Sequence, residues 1–281
     1  MNWMIPAVIS VISVSIANIY QKVVMRGKES DPLASSIFFI FFVGCITGVF
    51  ALIKGFEMPN LIRDWPFYTL STICYGLGTL CFFHAAKRIE ASEIVILSSF
   101  GAIVTILLSV LFLHESFTWV QIIGAICILS SILFAQKNTR IIGNVGSIYS
   151  ILGTTVYGIA VVSDTYILKR YDAVSFVPVI SFLPVIFLLM LQPSKIASFS
   201  KYLNYSYLKN IVIYSLFYGI QAIAYYVAIQ SGANASRMAT IIRSEIILTV
   251  LLSAYFLQER DRMMTKIFSA ILVTIGVILI R

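Results

Sequence analysis

Charged side chains are rare in the apolar stretches of this sequence, and four of them lie deep enough inside a stretch to do chemistry. Glu245 and Arg243 stand near the middle of one stretch, whereas Asp164 and Lys22 lie closer to the ends of two others. A charge inside a membrane span costs about 2.5–3.5 kcal/mol on insertion scales and usually faces a cavity or a partner. The four residues therefore indicate either a polar central cavity, or structural ion pairs and snorkelling side chains.

The spacing of Arg243 and Glu245 bears on which of them faces a cavity. Two residues apart on a helix, they point to nearly opposite faces, so we expect that they do not simply pair with each other. Arg243 shares its face with Ser236 and Thr240, and this more polar face is the one we expect to line the cavity. Glu245 then needs its own partner or a proton. Because burial penalises the charged form of a carboxyl group, we hypothesise that Glu245 or Asp164 takes up a proton as the coupling ion.

Further side chains are suited to binding a small organic molecule. Aromatic rings with polar tips can grip such a molecule and hydrogen-bond it, although ordinary helix packing gives the same pattern. Tyr75 holds a position equivalent to Tyr218 in an earlier apolar stretch. One helical face of a later stretch carries such groups at spacings of four, three and four: Tyr214, Tyr218, Gln221 and Tyr225.

The first apolar stretch carries a polar face formed by Ser15, Asn18 and Lys22. Lys22 is the candidate anion-binding group of the first half of the chain. A zwitterionic substrate would need a cation such as Lys22 or Arg243 and an acceptor such as Asp164 or Gln221. Polar groups of this kind also form interhelical hydrogen bonds worth about 0.6 kcal/mol each, so packing is the alternative interpretation.

The elements that must hold these residues are membrane helices. Of 281 residues, 59% are hydrophobic and only 11% are charged, with a mean hydropathy of +0.95. Ordinary soluble domains carry roughly a quarter of their residues as charged groups, so a cytosolic enzyme, a disordered regulator and a nucleic-acid-binding module are excluded as leading classes. At ~20 apolar residues per span, the length accommodates ten helices. We predict spans near 4–25, 33–53, 66–86, 92–113, 118–136, 145–168, 173–191, 208–230, 235–257 and 264–280.

The chain also repeats itself at an offset of 143 or 144 residues. The segment 112–115 recurs as 256–259, and Tyr75-Gly76 recurs as Tyr218-Gly219. Five helices in each half would place the second half upside down in the membrane relative to the first. Inverted repeats of this kind are typical of secondary transporters, with the site near the mid-plane between the halves. We therefore predict an all-α polytopic membrane protein of ten transmembrane helices in two inverted five-helix repeats, residues 1–138 and 139–281.

The ends of two predicted spans carry a family resemblance. Leu111–Glu115 and Tyr255–Glu259 resemble the helix-ending signature of EamA-type proteins, which belong to the drug/metabolite transporter superfamily. The helices that follow, through Gly124 and Gly276, are similar too, and Lys22 stands where the first helix of such units often carries a lysine. The resemblance implies a ten-helix carrier for small metabolites in the plasma membrane, commonly an exporter of amino acids or related compounds.

These observations together predict a secondary transporter that works by alternating access, with protons as the candidate coupling ion. A passive facilitator and a sugar or nucleotide-sugar carrier stay open as alternatives. No nucleotide-binding, metal or nucleophile motif appears, so we expect no cofactor, no metal, no catalytic residue and no nucleic-acid partner. Twelve Lys and Arg residues lie in the loops opposite the termini and six on the terminal side. This count places the termini outside the cell, whereas the resemblance implies cytoplasmic termini.

Overall fold

The computed structural model describes residues 3–27, 30–113, 118–135, 144–168, 170–193, 199, 201, 204–231 and 241–280. Within these ranges the regular structure is helical and contains no strand. The helices in chain order are α1 (Met4–Met25), α2 (Pro32–Lys54), α3 (Trp65–Ala86), α4 (Ala91–Ser98), α5 (Phe100–Leu113), α6 (Trp119–Ala135), α7 (Val145–Leu168), α8 (Ala173–Leu191), α9 (Tyr205–Gln230), α10 (Glu245–Leu252), its π-helical continuation Ser253–Leu257, and α11 (Met263–Ile280).

Length and composition make six of these helices able to cross a membrane, namely α1, α2, α3, α7, α8 and α9. Their outward faces are apolar as well: Leu52, Ile53 and Met190 are each more than 70% exposed. Apolar groups exposed on this scale indicate a surface that meets lipid rather than water. The bundle is therefore apolar on its outer surface, while polar side chains are buried inside it.

Local sequence explains where several helices begin and end. Asp31 caps α2 by accepting hydrogen bonds from the two amides that follow Pro32, at 2.9 and 3.0 Å. Asp172 caps α8 in the same way. A short acidic side chain satisfies amides that have no partner within the helix, and proline suits the first helical position. The helix α2 ends at Gly55, whose φ of 98° is the left-handed conformation that glycine adopts without strain.

Two predicted spans are interrupted rather than continuous. The span predicted at 92–113 is divided at Ser99 into α4 and α5, and the described part of the span predicted at 235–257 has a turn at Arg243 and Ser244 before α10. Ser99 and Arg243 are 144 residues apart, which is the offset of the sequence repeat. At the first interruption, Thr154 of α7 donates a hydrogen bond of 2.7 Å to the carbonyl oxygen of Ser98. A side chain thus satisfies a carbonyl group near the helix end.

The closest helix packing joins the first half of the chain to the second. The main partners are α3 with α7, α1 with α9, α2 with α8, and α6 with α11. Glycines allow two of these close approaches: a Cβ on Gly78 would lie 2.5 Å from the Tyr157 ring, and one on Gly276 would lie 2.7 Å from the Gly124 carbonyl oxygen. Small residues at such crossings let helix backbones approach closely. Each half is therefore held mainly by the other half.

Candidate functional site

A cavity of about 90 Å³ lies inside the bundle. A single water needs only about 10–15 Å³ by this kind of measure, so the cavity has room for a compact small molecule. Its wall residues come from the middle of α2 and α3 in the first half and from α7, α8 and α9 in the second. They are Phe39, Ile40, Val43, Tyr75, Thr79, Tyr157, Val177, Ile180, Ser181, Pro184, Tyr218, Ala222 and Tyr226.

Hydroxyl groups form a connected set on one side of the cavity. The hydroxyls of Thr79 and Tyr157 are 2.7 Å apart, and the hydroxyl of Tyr218 lies near that of Tyr157. The rings of Tyr75 and Tyr157 meet edge to face, with their centroids 5.0 Å apart. Such mutual contacts fix the rings in place and leave polar tips directed at a shared space. The wall therefore combines apolar surface with hydrogen-bonding groups whose positions are set in advance.

A buried carboxylate stands directly behind this wall. Asp164 of α7 is only 2% exposed. Its Oδ1 accepts a hydrogen bond of 2.8 Å from Ser71, and its Oδ2 accepts one from the hydroxyl of Tyr75. Both donors belong to α3, and Tyr75 itself lines the cavity. Only the side chain of Tyr75 therefore separates Asp164 from a molecule in the cavity. The protein interior screens charge weakly, so a charge on Asp164 would act on that molecule.

A second polar cluster, which we call the α10 cluster, consists of Asn18, Tyr225, Arg243, Glu245 and Thr249. Arg243 Nη1 lies 3.8 Å from Glu245 Oε1, so the two residues form an ion pair. The expectation that they do not pair is wrong, because Arg243 stands in the turn before α10 and the angular spacing of a continuous helix does not apply to it. A break in a helix thus brings together two side chains that helical periodicity would separate.

The other members of the α10 cluster come from α1 and α9. Asn18 Nδ2 donates to Thr249 Oγ1 at 3.4 Å and lies against the carboxyl group of Glu245, while Tyr225 is close to Arg243. Glu245 Oε2 is buried and has no hydrogen-bond partner among the residues that the structure describes. A buried carboxylate oxygen without a donor is costly unless the group is paired or carries a proton. The cluster therefore contains one carboxyl group whose charge is only partly compensated.

Seven of the nine predicted site residues belong to the cavity region or to the α10 cluster, and two belong to neither. Tyr75 and Tyr218 line the cavity, Asp164 lies behind it, and Asn18, Tyr225, Arg243 and Glu245 belong to the α10 cluster. The structure does not bring Lys22 or Gln221 to either place through a side-chain contact. Lys22 Nζ donates to the carbonyl oxygens of Ala86, the last residue of α3, and Ile89 at 2.8 and 2.6 Å. The backbone oxygen of Gln221 accepts a hydrogen bond from Ser10 at 3.3 Å.

Four polar residues of the cavity wall were not singled out by the sequence analysis: Thr79, Tyr157, Ser181 and Tyr226. Tyr157 had a usable signal, because it precedes Asp164 by seven residues and so lies on the same face of a helix. The sequence signal for Tyr226 was weaker: it directly follows Tyr225, which belongs to the helical face that carries Tyr218. Thr79 and Ser181 carry no such signal, since single hydroxyl residues are common throughout the apolar stretches.

Polar contacts also join the helices at both ends of the bundle. At the start of α3, Asp64 is only 2% exposed, pairs with Arg170 at 2.6 Å, and accepts a hydrogen bond of 2.8 Å from Tyr171. At the opposite end, Lys266 pairs with Glu90, and Glu259 Oε2 accepts a hydrogen bond of 3.0 Å from the amide of Ala91. The cavity therefore lies between two sets of polar contacts.

Glu259 belongs to the loop between α10 with its π-helical continuation and α11, outside the membrane spans. Burial is the largest cause of a pKa raised to about 7, and the neighbouring carboxylate of Glu90 adds to it. Lys22 and Lys266 act in the opposite direction. Within the described ranges, no group of three or more His, Cys, Asp or Glu side chains is arranged to hold a metal ion.

A bundle of membrane-length helices around an aromatic cavity that lies between two polar ends defines a multi-pass membrane protein of the transporter class. The family model described as EamA-like transporter family matches residues 1–136 and 144–281, and the chain belongs to that family. The resemblance seen in the segments 111–115 and 255–259 is thereby confirmed.

Two further comparisons add detail. An uncharacterised protein of Methanocaldococcus jannaschii is 33% identical over 108 residues, which are 37% of this chain and 77% of that relative. A crystal structure with 13% sequence identity matches with a TM-score of 0.66, over 99% of this chain and 95% of the other. At that identity, the match to the crystal structure shows a shared fold and nothing about substrate.

Proposed function

We propose that the protein is a secondary transporter that moves a small organic molecule across the plasma membrane by alternating access to the central cavity. The observation that carries this proposal is the cavity between the two halves, with its hydroxyl set and the buried Asp164 behind it. Aromatic and apolar walls with a few convergent polar groups are what a site for a small molecule requires. Tyr75, Tyr157 and Tyr218 are the side chains that we propose to contact the substrate.

The proposal includes ten membrane helices in two inverted repeats, residues 1–138 and 139–281. Exchanging the helices of the two halves turns the pair α3 and α7 into the pair α9 and α1, and both pairs are closely packed. The same exchange leaves the pairs α2 with α8 and α6 with α11 unchanged. The matching interruptions at Ser99 and Arg243 and the separate matches of the two halves to the family model also support the repeat.

Alternating access requires that the two ends of the bundle open in turn. The contacts of Asp64 with Arg170 and Tyr171 would hold one end closed, and those of Glu259 and Lys266 would hold the other end closed. These contacts are local and polar, so water can replace them when one end opens. The apolar helix crossings between the ends have no such replacement, and they would move as units.

Proton coupling is the finer part of the proposal, with Asp164 and Glu245 as the candidate groups. Asp164 is the stronger candidate, because Tyr75 links it directly to the cavity wall and a change in its charge would be felt there. Glu245 is held by Arg243 and lies outside the described wall. Lys22, Asn18, Gln221, Tyr225 and Arg243 stay predictions as substrate contacts, as do an amino-acid-like substrate and the direction of export.

The experiment is pH-gradient-driven flux into liposomes, with a compound first identified by thermal stabilisation of the purified protein. Asp164→Asn keeps one of the two acceptor oxygens that Ser71 and Tyr75 use but cannot take up a proton, so we expect it to abolish uphill transport while leaving binding measurable. Glu245→Gln tests the second candidate, and Glu57→Gln, an exposed position, is the matched control. Undiminished coupling in both variants would refute proton coupling through these groups. Flux that never runs uphill in the unmodified protein would indicate a passive facilitator instead.

A further inference from the structure

The described wall of the cavity carries no formal charge, and the nearest charged group that contacts it is acidic. None of the thirteen wall residues is Lys, Arg or His, while Asp164 accepts the hydroxyl hydrogen of wall residue Tyr75. The basic groups buried in the described part of the interior are engaged elsewhere: Lys22 by carbonyl oxygens at the end of α3, Arg243 by Glu245, and Lys266 by Glu90. An anionic or carboxylate-bearing ligand would find no cation on this wall to compensate its charge.

Two hydroxyl groups of the wall are placed to act as acceptors toward a ligand. The hydroxyl of Tyr75 gives its hydrogen to Asp164, and that of Ser181 gives its hydrogen to the carbonyl oxygen of Val177 at 2.8 Å. Both oxygens therefore offer lone pairs to a ligand. Pro184 adds a further acceptor, because proline has no amide hydrogen and the carbonyl oxygen of Ile180, four residues earlier, loses its usual helical donor. Ile180 and Pro184 both line the cavity.

The aromatic rings of the wall point to the same ligand chemistry. Five of the wall residues are aromatic, and a ring face attracts a cation that lies within about 6 Å of its centroid. The attraction is strongest where the cation has lost its water. From these features together we infer that the cavity binds a compact organic monocation, such as a primary amine with an apolar body, and that Asp164 is its counter-ion. This inference rests on the proposed function and specifies its substrate class.

A series of three probes of equal size tests the charge preference: benzylammonium, benzyl alcohol and benzoate. Binding to the purified protein is measured through changes in intrinsic tyrosine and tryptophan fluorescence and through thermal stabilisation. We expect benzylammonium to bind more tightly than benzyl alcohol by about tenfold, and benzoate to bind more weakly than either. Equal or tighter binding of benzoate would overturn the inference.

Two variants test which groups cause the preference for the cation. Asp164→Asn should remove the preference of the protein for benzylammonium over benzyl alcohol, and Glu57→Gln should leave it unchanged. Pro184→Ala restores an amide donor to the Ile180 carbonyl oxygen, so it should weaken benzylammonium binding more than benzyl alcohol binding, because a hydrogen bond from a charged donor is the stronger one. If Asp164→Asn fails to fold, the Pro184 variant still tests whether acceptor groups of the wall cause the preference for benzylammonium. A cation preference that survives in both variants would refute the assignment of these acceptors.

Flux measurements separate failure of this inference from failure of the proposed function. A neutral or anionic compound that is carried uphill by a pH gradient, in a manner abolished by Asp164→Asn, would overturn the cation assignment and leave the transporter proposal intact. If benzylammonium binds with the expected preference but never moves across the membrane, the cation assignment stands and the transporter proposal is refuted.

Discussion

The loop carboxyl group of Glu259 gives the sharpest quantitative prediction. Burial beside Glu90 raises its pKa to about 7, from an ordinary value of 4.5. The folded state therefore binds this proton more tightly than the unfolded state does. The stabilisation is fully present below pH 4.5 and is lost as the pH rises through 7. Each pKa unit corresponds to about 1.4 kcal/mol, so the upper limit of this stabilisation is about 3 kcal/mol. Screening by solvent reduces this limit, and we expect a contribution of about 1–2 kcal/mol.

The variant Glu259→Gln isolates this contribution, because the amide resembles the protonated acid and still accepts a hydrogen bond from the amide of Ala91. The free energy of unfolding is measured in mixed micelles by SDS titration between pH 4.5 and 8. The stability of the variant relative to the unmodified protein should rise by about 1–2 kcal/mol across that interval, and Glu57→Gln should show no such rise. A difference between variant and unmodified protein that stays constant with pH would show that Glu259 is ionised throughout and would refute the reasoning.

Three other substitutions test separate parts of the structure. Gly276→Ala should destabilise the protein by about 1–3 kcal/mol in SDS unfolding, since its Cβ would meet a backbone carbonyl at 2.7 Å, whereas Gly27→Ala meets nothing within 4 Å and should be neutral. Asp64→Asn should cost about 1–2 kcal/mol by the same measurement, reduced from the value for a fully buried pair because the Arg170 side chain is 35% exposed. Tyr157→Phe should weaken binding of a cavity ligand by roughly tenfold without lowering the melting temperature by more than a few degrees, measured by fluorescence titration.

Hydropathy located the main helices well. The predicted spans 4–25, 145–168 and 173–191 agree in both bounds with α1, α7 and α8. An apolar run must cover the thickness of a bilayer and then stop, so its ends are set by composition alone. The break at Ser99 had no comparable signal, because it contains no proline and depends on a hydroxyl group donated by Thr154 from another helix. A partner of that kind is known only once the helices are packed.

The grouping of the site residues was harder to predict for a related reason. Tyr218 and Tyr225 share a helical face, yet seven residues correspond to about 10 Å of depth along a helix. One therefore lines the cavity while the other lies beside Arg243. Periodicity gives the direction of a side chain but not which neighbour it meets at its own depth. Lys22 shows the same limit, because its long side chain reaches carbonyl groups at the end of α3 and just after it.

The helix pairing has a consequence for biosynthesis. The principal partners of α1, α2, α3 and α6 are α9, α8, α7 and α11, all of which are made later. Since a chain is synthesised from its N-terminus, the first half enters the bilayer before its partners exist. Until then its glycine-lined and hydroxyl-bearing faces contact lipid or an insertion factor, and α6 has no principal partner until α11 leaves the ribosome. A ribosome that stalls midway would leave an insertion intermediate for quality-control proteases, not a stable half-protein.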